Sequence, residues 1–335
     1  MSWKRPLRSS GARLLWALGL SRPLRVGRGR LTIVTFHRVL TDPMTSPLPH
    51  LAVTPGFLRA ALHFFDEHYT CLTLREAVTR LREGAHTHRP LLAVTFDDGR
   101  KDNFLHALPA LRATGVPATF FVPAASVDDP RPLWHDELAW IARSLLERGG
   151  AEELARVAGI EPPTEDPIRR VLARAKELPA AERLPWIASL RRHTPELSLP
   201  SWEGPMVWSE LRQLLRDGHE IGSHSMTHDV LLEELGADPR REVAESRALL
   251  ERKLEAPVTS FCFPTGSYDA GTLRAVREAG YTCAVTTHWG ANTPETDPFE
   301  LRRFDIQGTR NSSRRGELDR SVLAWRLSSL PGTPG

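Results

Sequence analysis

With 335 residues, 41% of them apolar, the chain can bury one sizeable core or two smaller ones. Three widely spaced cysteines, Cys71, Cys262 and Cys283, exclude a disulfide framework and a zinc-finger pattern, and buried free thiols in a reducing compartment are their ordinary reading. The 44 Lys and Arg nearly balance the 41 Asp and Glu, but no acidic residue precedes Asp42, whereas Lys4, Arg5, Arg8, Arg13, Arg22, Arg25, Arg28 and Arg30 all do. Such a head either touches an anionic surface or forms a solvated arm.

Within that head, Leu14-Leu15-Trp16-Ala17-Leu18-Gly19-Leu20 is too short to span a bilayer, and no small-x-small cleavage site follows it. A helix lying in a membrane surface fits this stretch better than a signal peptide. The expected location is cytoplasmic or membrane-peripheral, with no nucleic-acid partner. Residues 31–36 read as a first strand ending at His37. Helical patterns follow over 55–68 and about 74–83. The run Leu91-Leu92-Ala93-Val94-Thr95-Phe96 has the continuous apolarity of a strand buried on both faces, and it stops at Asp97-Asp98-Gly99. A helix carrying Phe104, Leu105, Leu108 and Leu111 ends at Gly115, and residues 118–122 form another strand.

Between about 137 and 204, helical runs at 137–148, 168–176 and 181–192 alternate with Pro-rich breaks, as in a helical insertion beside the main fold. The alternation resumes with a helix at 209–217, a strand at 219–223, a helix at 240–255, a strand at 258–263, a helix at 269–279 and strands at 281–286 and 299–306. One short helix is expected near 318–327. The order predicts an α/β fold, a distorted (β/α) barrel of mostly parallel strands with a helical insertion. The organisation is a basic arm over 1–30, the barrel over 31–308 with the insertion at about 137–204, and a tail over 309–335.

In parallel α/β folds the chemistry gathers at the carboxyl ends of strands. There stand His37, the Asp97-Asp98 pair, His224-Ser225-Met226-Thr227-His228, and Pro264-Thr265-Gly266-Ser267-Tyr268. His224 and His228 are four apart, so on a helical turn both imidazoles would face the same way. Two His and a carboxylate are a familiar ligand set for a divalent ion such as zinc or iron. Two adjacent carboxylates repel, and a cation beside them relieves that repulsion. One can ligate the ion while the other takes a proton from water, which is a recipe for amide or ester hydrolysis.

Thr95-Phe96-Asp97-Asp98-Gly99 followed by His224-Ser225-x-x-His228 resembles the first two motifs of the polysaccharide deacetylase family, the NodB-homology domain of carbohydrate esterase family 4. Phe36-His37-Arg38-Val39, residues 218–223 and Phe263-Pro264-x-Gly266-x-Tyr268-Asp269 extend the resemblance over about residues 31–306. It implies a divalent metal, usually zinc, and removal of N-acetyl groups from the amino sugars of a glycan. It also implies that Asp97 is the base and that Asp98, His224 and His228 are the ligands.

Two departures stand out. Cys262 and Thr265 occupy the places where the family commonly has an Arg two residues before the Pro and an aromatic after it, so Arg302 or Arg303 is the expected substitute for the Arg. The Thr265 N–H can still support an oxyanion. The family's late Leu-x-His is not visible, which leaves His37, or His288 in the Thr287-His288-Trp289 stretch, as general acid; position favours His37. Trp134 and Tyr268 could each offer a sugar-stacking face at the rim or pack the core. His50, His63, His68, His86, His88, His106 and His193 are read as surface or helix-face residues. The alternatives are a small-amide hydrolase of the same fold, similar to allantoinase, and a catalytically silent glycan-binding relative.

Overall fold

The computed structural model describes residues 4–84, 87–161, 166–313, 316–328 and 330. His86 and the outermost residues of the arm and tail lie outside them. Strand β1 (Leu31–Phe36) pairs in parallel with β2 (Leu91–Phe96), in register from Leu31 opposite Leu91 to Phe36 opposite Phe96. Then β3 (Ala118–Val122), β4 (Glu220–Ser223), β5 (Ser260–Cys262), β6 (Cys283–Trp289) and β7 (Leu301–Asp305) each pair in parallel with the strand before them. The last, β7, returns to β1 and closes the ring. A short strand, Thr70–Leu72, pairs with the first half of β2.

The period of two sorts the strand residues. Leu31, Ile33, Leu91, Ala93, Phe121, Cys262, Cys283, Val285 and Leu301 share one cluster inside the barrel. Val34, Phe36, Val94, Phe96 and Phe120 face the surrounding helices, with Phe36, Phe96 and Phe120 stacked in succession.

The α-helices longer than one turn among the described residues are α1 (Lys4–Ala17), α2 (Pro55–His68), α3 (Leu74–Arg82), α4 (Leu108–Thr114), α5 (Trp134–Ala158), α6 (Pro167–Lys176), α7 (Ala180–Arg191), α8 (Trp208–Arg216), α9 (Ser246–Leu254), α10 (Ala270–Glu278) and α11 (Arg320–Leu327). Their starts follow local chemistry. Thr54 caps α2 ahead of Pro55, Thr73 and Glu76 form a capping box on α3, and Asp269 caps α10. Leu74, Ala77, Val78 and Leu81 of α3 join the inner cluster, while the Leu74 and Arg75 N–H groups donate to Thr119 and Glu220 at the starts of β3 and β4. This helix therefore closes the strand-start end of the barrel and leaves the strand ends open for chemistry.

Helices α5, α6 and α7 form the insertion around their own core of Trp134, Ile141, Leu145, Leu154, Val171 and Ile187. The first helix begins at Trp134, earlier than the expected 137, and Gly150 (φ 71°) breaks it internally. The arm, expected to be solvated or membrane-lying, is helical and docked. Ala12 is buried, Trp16 packs on Phe64 and His68, and α1 lies against α11. In the tail, Leu323, Ala324 and Leu327 are buried in the main core. No helix among the described residues is long and apolar enough to cross a membrane.

Candidate active site

Alternation along β2 carries Ala93 and Thr95 to the barrel interior and delivers Asp97 to the same side at its mouth. The Asp97 N–H still continues the ladder to the Phe36 carbonyl. Asp98 (φ 74°) and Gly99 (φ 60°) then turn the chain sharply. The positive φ favours glycine at position 99, and a Cβ would in addition crowd Val122 at 3.1–3.3 Å. The two carboxylates consequently face different partners.

Asp98 meets the histidines. His224 Nε2 lies 3.3 Å and His228 Nε2 3.1 Å from its Oδ1, and all three side chains are buried. The expectation that His224 and His228 share a helical turn is wrong. Residues 224–228 form an irregular loop, with Ser225 at φ 67° and His228 at φ 60°. The loop holds its shape because Ser225 Oγ accepts from the His228 N–H and Glu242 accepts from the Met226 and Thr227 N–H groups. Four of the six non-glycine residues with positive φ among the described residues, Asp98, Ser225, His228 and Thr265, stand at these strand ends. Strain collected in this way marks a place where the surrounding structure enforces geometry.

Asp97 meets Arg303. From β7, Nη1 and Nη2 of Arg303 reach its two oxygens at 2.8 and 2.9 Å. The same guanidinium is held by the Thr286 carbonyl, Thr35 Oγ1 and Thr95 Oγ1 and lies 3.3 Å from Cys262 Sγ. Arg303 thus fills the space beside Cys262, the position the sequence left without its Arg; it is buried against Asp97. Burial pushes the Asp97 carboxyl up, but Arg303 and then His37 outweigh it and hold it below the ordinary carboxylate value. Arg303→Met removes the main opposing charge, so the acid limb of the kcat/KM profile is expected to move to higher pH. A pH–rate profile with an unmoved acid limb would show that Asp97 does not set it.

The donor atoms of Asp98, His224 and His228 all lie within 4.8 Å of one another. Tetrahedral ligands at about 2.0–2.2 Å from a zinc ion stand roughly 3.3–3.6 Å apart, close to the 3.1 and 3.3 Å found here. The His224 Nδ1 lies 2.8 Å from the Cys262 carbonyl, which as an acceptor fixes the proton there and leaves Nε2 free to ligate. Asp97, His224 and Cys262 are also close enough to form a group, but the guanidinium on Asp97 and Cys262 repels a cation there.

Charge points the same way. Arg38 bridges Asp102, Asp136 and Glu203, and Arg100 bridges Asp136 and Asp98, with every one of these side chains at most 5% exposed. Two guanidiniums face four carboxylates, one of which, Asp102, burial pushes up to about 6, so up to two negative charges exceed the guanidiniums in a low-dielectric site, where unpaired charge is costly. A divalent ion at Asp98 balances them. Burial raises the Asp98 carboxyl, but Arg100 and the two imidazoles prevail and hold it well below its usual value.

Arg100, His135 and Asp136 escaped sequence reasoning. His135 Nε2 is 2.9 Å from Arg100 Nη2 and 4.0 Å from Asp98 Oδ2, and its ring lies 4.6 Å from that of His228. Burial pushes this imidazole down to about 3. The available signal was Arg100 directly after the Asp-Asp-Gly turn and the adjacent His135-Asp136 at the insertion's start.

The remaining candidates scatter. His37 Nε2 lies 3.8 Å from Asp97 Oδ2 and is partly exposed. His288 is exposed on β6, 6.2 Å from the Tyr268 ring. Tyr268 stacks on Phe263 and donates its hydroxyl to Glu300. Trp134 is buried, donates Nε1 to the His228 carbonyl and lies under Arg183, which also binds Asp229, so it clamps the insertion to the histidine loop. Thr265 sits at φ 57°, and its N–H donates to no described residue.

A family model described as polysaccharide deacetylase matches residues 84–284, more than half of the chain. YxkH of Bacillus subtilis (strain 168), assigned by its name to the polysaccharide deacetylases, is 22% identical over 260 residues, or 77% of this chain. The match spans 66% of that relative, just under two thirds of its length. Among solved structures, the Streptococcus pyogenes deacetylase PplD in complex with acetate has a TM-score of 0.56 and 18% identity, over 83% of this chain and 92% of that one. IcaB from Ammonifex degensii has a TM-score of 0.55 and 18% identity, over 88% of this chain and 96% of that one. At these identities the likeness to the solved structures is one of fold.

Proposed function

The chain belongs to the polysaccharide deacetylase family, and on that premise we propose that it is a metal-dependent hydrolase removing N-acetyl groups from amino sugars of a polysaccharide or glycan precursor. The observation that carries this reading is the division of the carboxylate pair, with Asp97 on Arg303 and Asp98 on His224 and His228.

A divalent ion held by Asp98, His224 and His228, zinc by its donor set, would supply Lewis acidity to polarise the acetyl carbonyl and acidify a water. Asp97, kept ionised by Arg303, takes the proton from the attacking water. The Thr265 N–H supports the oxyanion as the tetrahedral carbon forms. His37 then protonates the amine as the C–N bond breaks, so that acetate and a free amino sugar leave. Its place beside Asp97, on the partly exposed side, suits a group that must reach a departing nitrogen.

The test measures acetate and new amines from a panel of N-acetylated oligosaccharides, chitooligosaccharides included, alongside bound-ion content. Equal amounts of acetate and amine, abolished by a chelator and restored by zinc, support the reading. Hydrolysis of allantoin without glycan deacetylation would instead select the small-amide alternative, and glycan binding without acetate release the silent one. His37→Gln is expected to lower kcat about 10²-fold, with His288→Gln near wild type; the reverse result would transfer the acid role to His288.

A further inference from the structure

Of the seven large apolar side chains exposed among the described residues, three fall between residues 14 and 24: Leu14, Leu18 and Leu24, each more than half exposed. They do not need exposure to hold the fold, because α1 docks by its other face through Ala12 and Trp16. Leu14 and Leu18 are joined by a helical hydrogen bond and so stand one above the other. Gly19 (φ 72°) then turns the chain, and Arg22 folds back over Trp16. Leu24 borders a cleft of about 580 Å³ whose rim carries Arg28, Arg30, Arg80, Arg89 and His88 and no acidic residue. All four arginines are exposed, and none forms an ion pair with a described residue.

We propose that this face docks on an anionic lipid bilayer, with the three leucines entering the headgroup boundary and the arginines facing lipid phosphates. Exposed apolar side chains and a polybasic patch are each weak membrane signals, and stable peripheral binding takes two. Here the three leucines, Arg28 and Arg30 occur on one continuous segment free of acidic residues, and Arg80 and Arg89 join them across the cleft. The cleft adjoins Leu91, the first residue of β2, whereas the carboxylates follow its last residue. Six strand residues put roughly 20 Å between the two ends. The docked protein therefore points its catalytic mouth away from the bilayer, towards glycan in the adjoining aqueous layer.

The experiment is flotation of the full chain with phosphatidylcholine vesicles, with and without phosphatidylglycerol, at low and high salt. Binding is expected to require phosphatidylglycerol and to weaken about tenfold or more at high salt. Leu14→Glu/Leu18→Glu and Arg28→Glu/Arg30→Glu are each expected to weaken it at least about tenfold while the melting temperature stays at the wild-type level. Equal binding to both vesicle types, absence of binding, or full binding by either double variant overturns the proposal. The wild-type lipid and salt comparison decides it even if a variant fails to fold, and none of these outcomes depends on the proposed reaction.

Discussion

Asp97→Asn is expected to lower kcat by about 10²–10⁴-fold while the protein retains its metal. The substitution keeps the shape of the side chain and removes its negative charge, and with it the capacity to take a proton. The three donors Asp98, His224 and His228 are all retained, so the ion keeps its full ligand set. The substitution has a second consequence. Arg303 is buried with both terminal nitrogens on Asp97, so a neutral partner leaves a guanidinium without its counter-charge, and breaking a buried pair in this way costs about 3–5 kcal/mol. The variant should melt at a lower temperature than wild type, and turnover must be read well below that melt. Elemental analysis should find the ion at the wild-type level. Near-normal turnover in a folded, metal-loaded variant would remove Asp97 from the role of base.

His224→Ala is expected to abolish both ion binding and turnover, and to make the melting temperature insensitive to chelators. In the wild type, chelation should lower the melting temperature by roughly 4 °C, since a ligand at a hundred times its Kd contributes about 2.7 kcal/mol and a chain of this length has an unfolding entropy of about 0.7 kcal/mol/K. The physical origin is the charge excess, two guanidiniums against four carboxylates, which the ion offsets only when bound. His135→Ala provides the contrast. Its imidazole stands 4.0 Å from Asp98 Oδ2 and contacts Arg100, so it supports the ligand without forming part of the three-donor group. That variant should keep a chelator-sensitive melt. If it loses the ion as completely as His224→Ala does, His135 is itself a ligand.

Much of this site is local in origin and hence legible before folding. A strand of period two ending in Asp97-Asp98-Gly99 specifies which carboxylate faces inward, and the glycine permits the turn that aims the other away. Helix starts at Pro55, Leu74 and Ala270 follow from Thr54, Thr73 and Asp269, residues that act on backbone groups two or three positions onward. The barrel order follows too, because each parallel strand needs a crossover that the intervening helix provides. Spacing misled at His224 and His228. Their four-residue separation fits a helix, but the loop is set by Ser225 and by Glu242, fourteen and more residues downstream.

What only the tertiary structure decided is long-range. Arg303 reaches Asp97 across 206 positions; the sequence left Arg302 and Arg303 as equal substitutes for the Arg absent at Cys262, and only closing the barrel, which brings β7 to β1, selects Arg303 and places its guanidinium over that gap. Arg38, Arg100, Asp136 and Glu203 read singly as ordinary surface charges, and burial alone makes them a network whose excess calls for a cation. The arm is of the same kind, since its short apolar stretch becomes a docked helix only once α2 and α11 supply a surface for Ala12 and Trp16. Local chemistry in the sequence determined which groups end the strands; their charge states and partners depended on contacts that exist only after the chain has closed on itself.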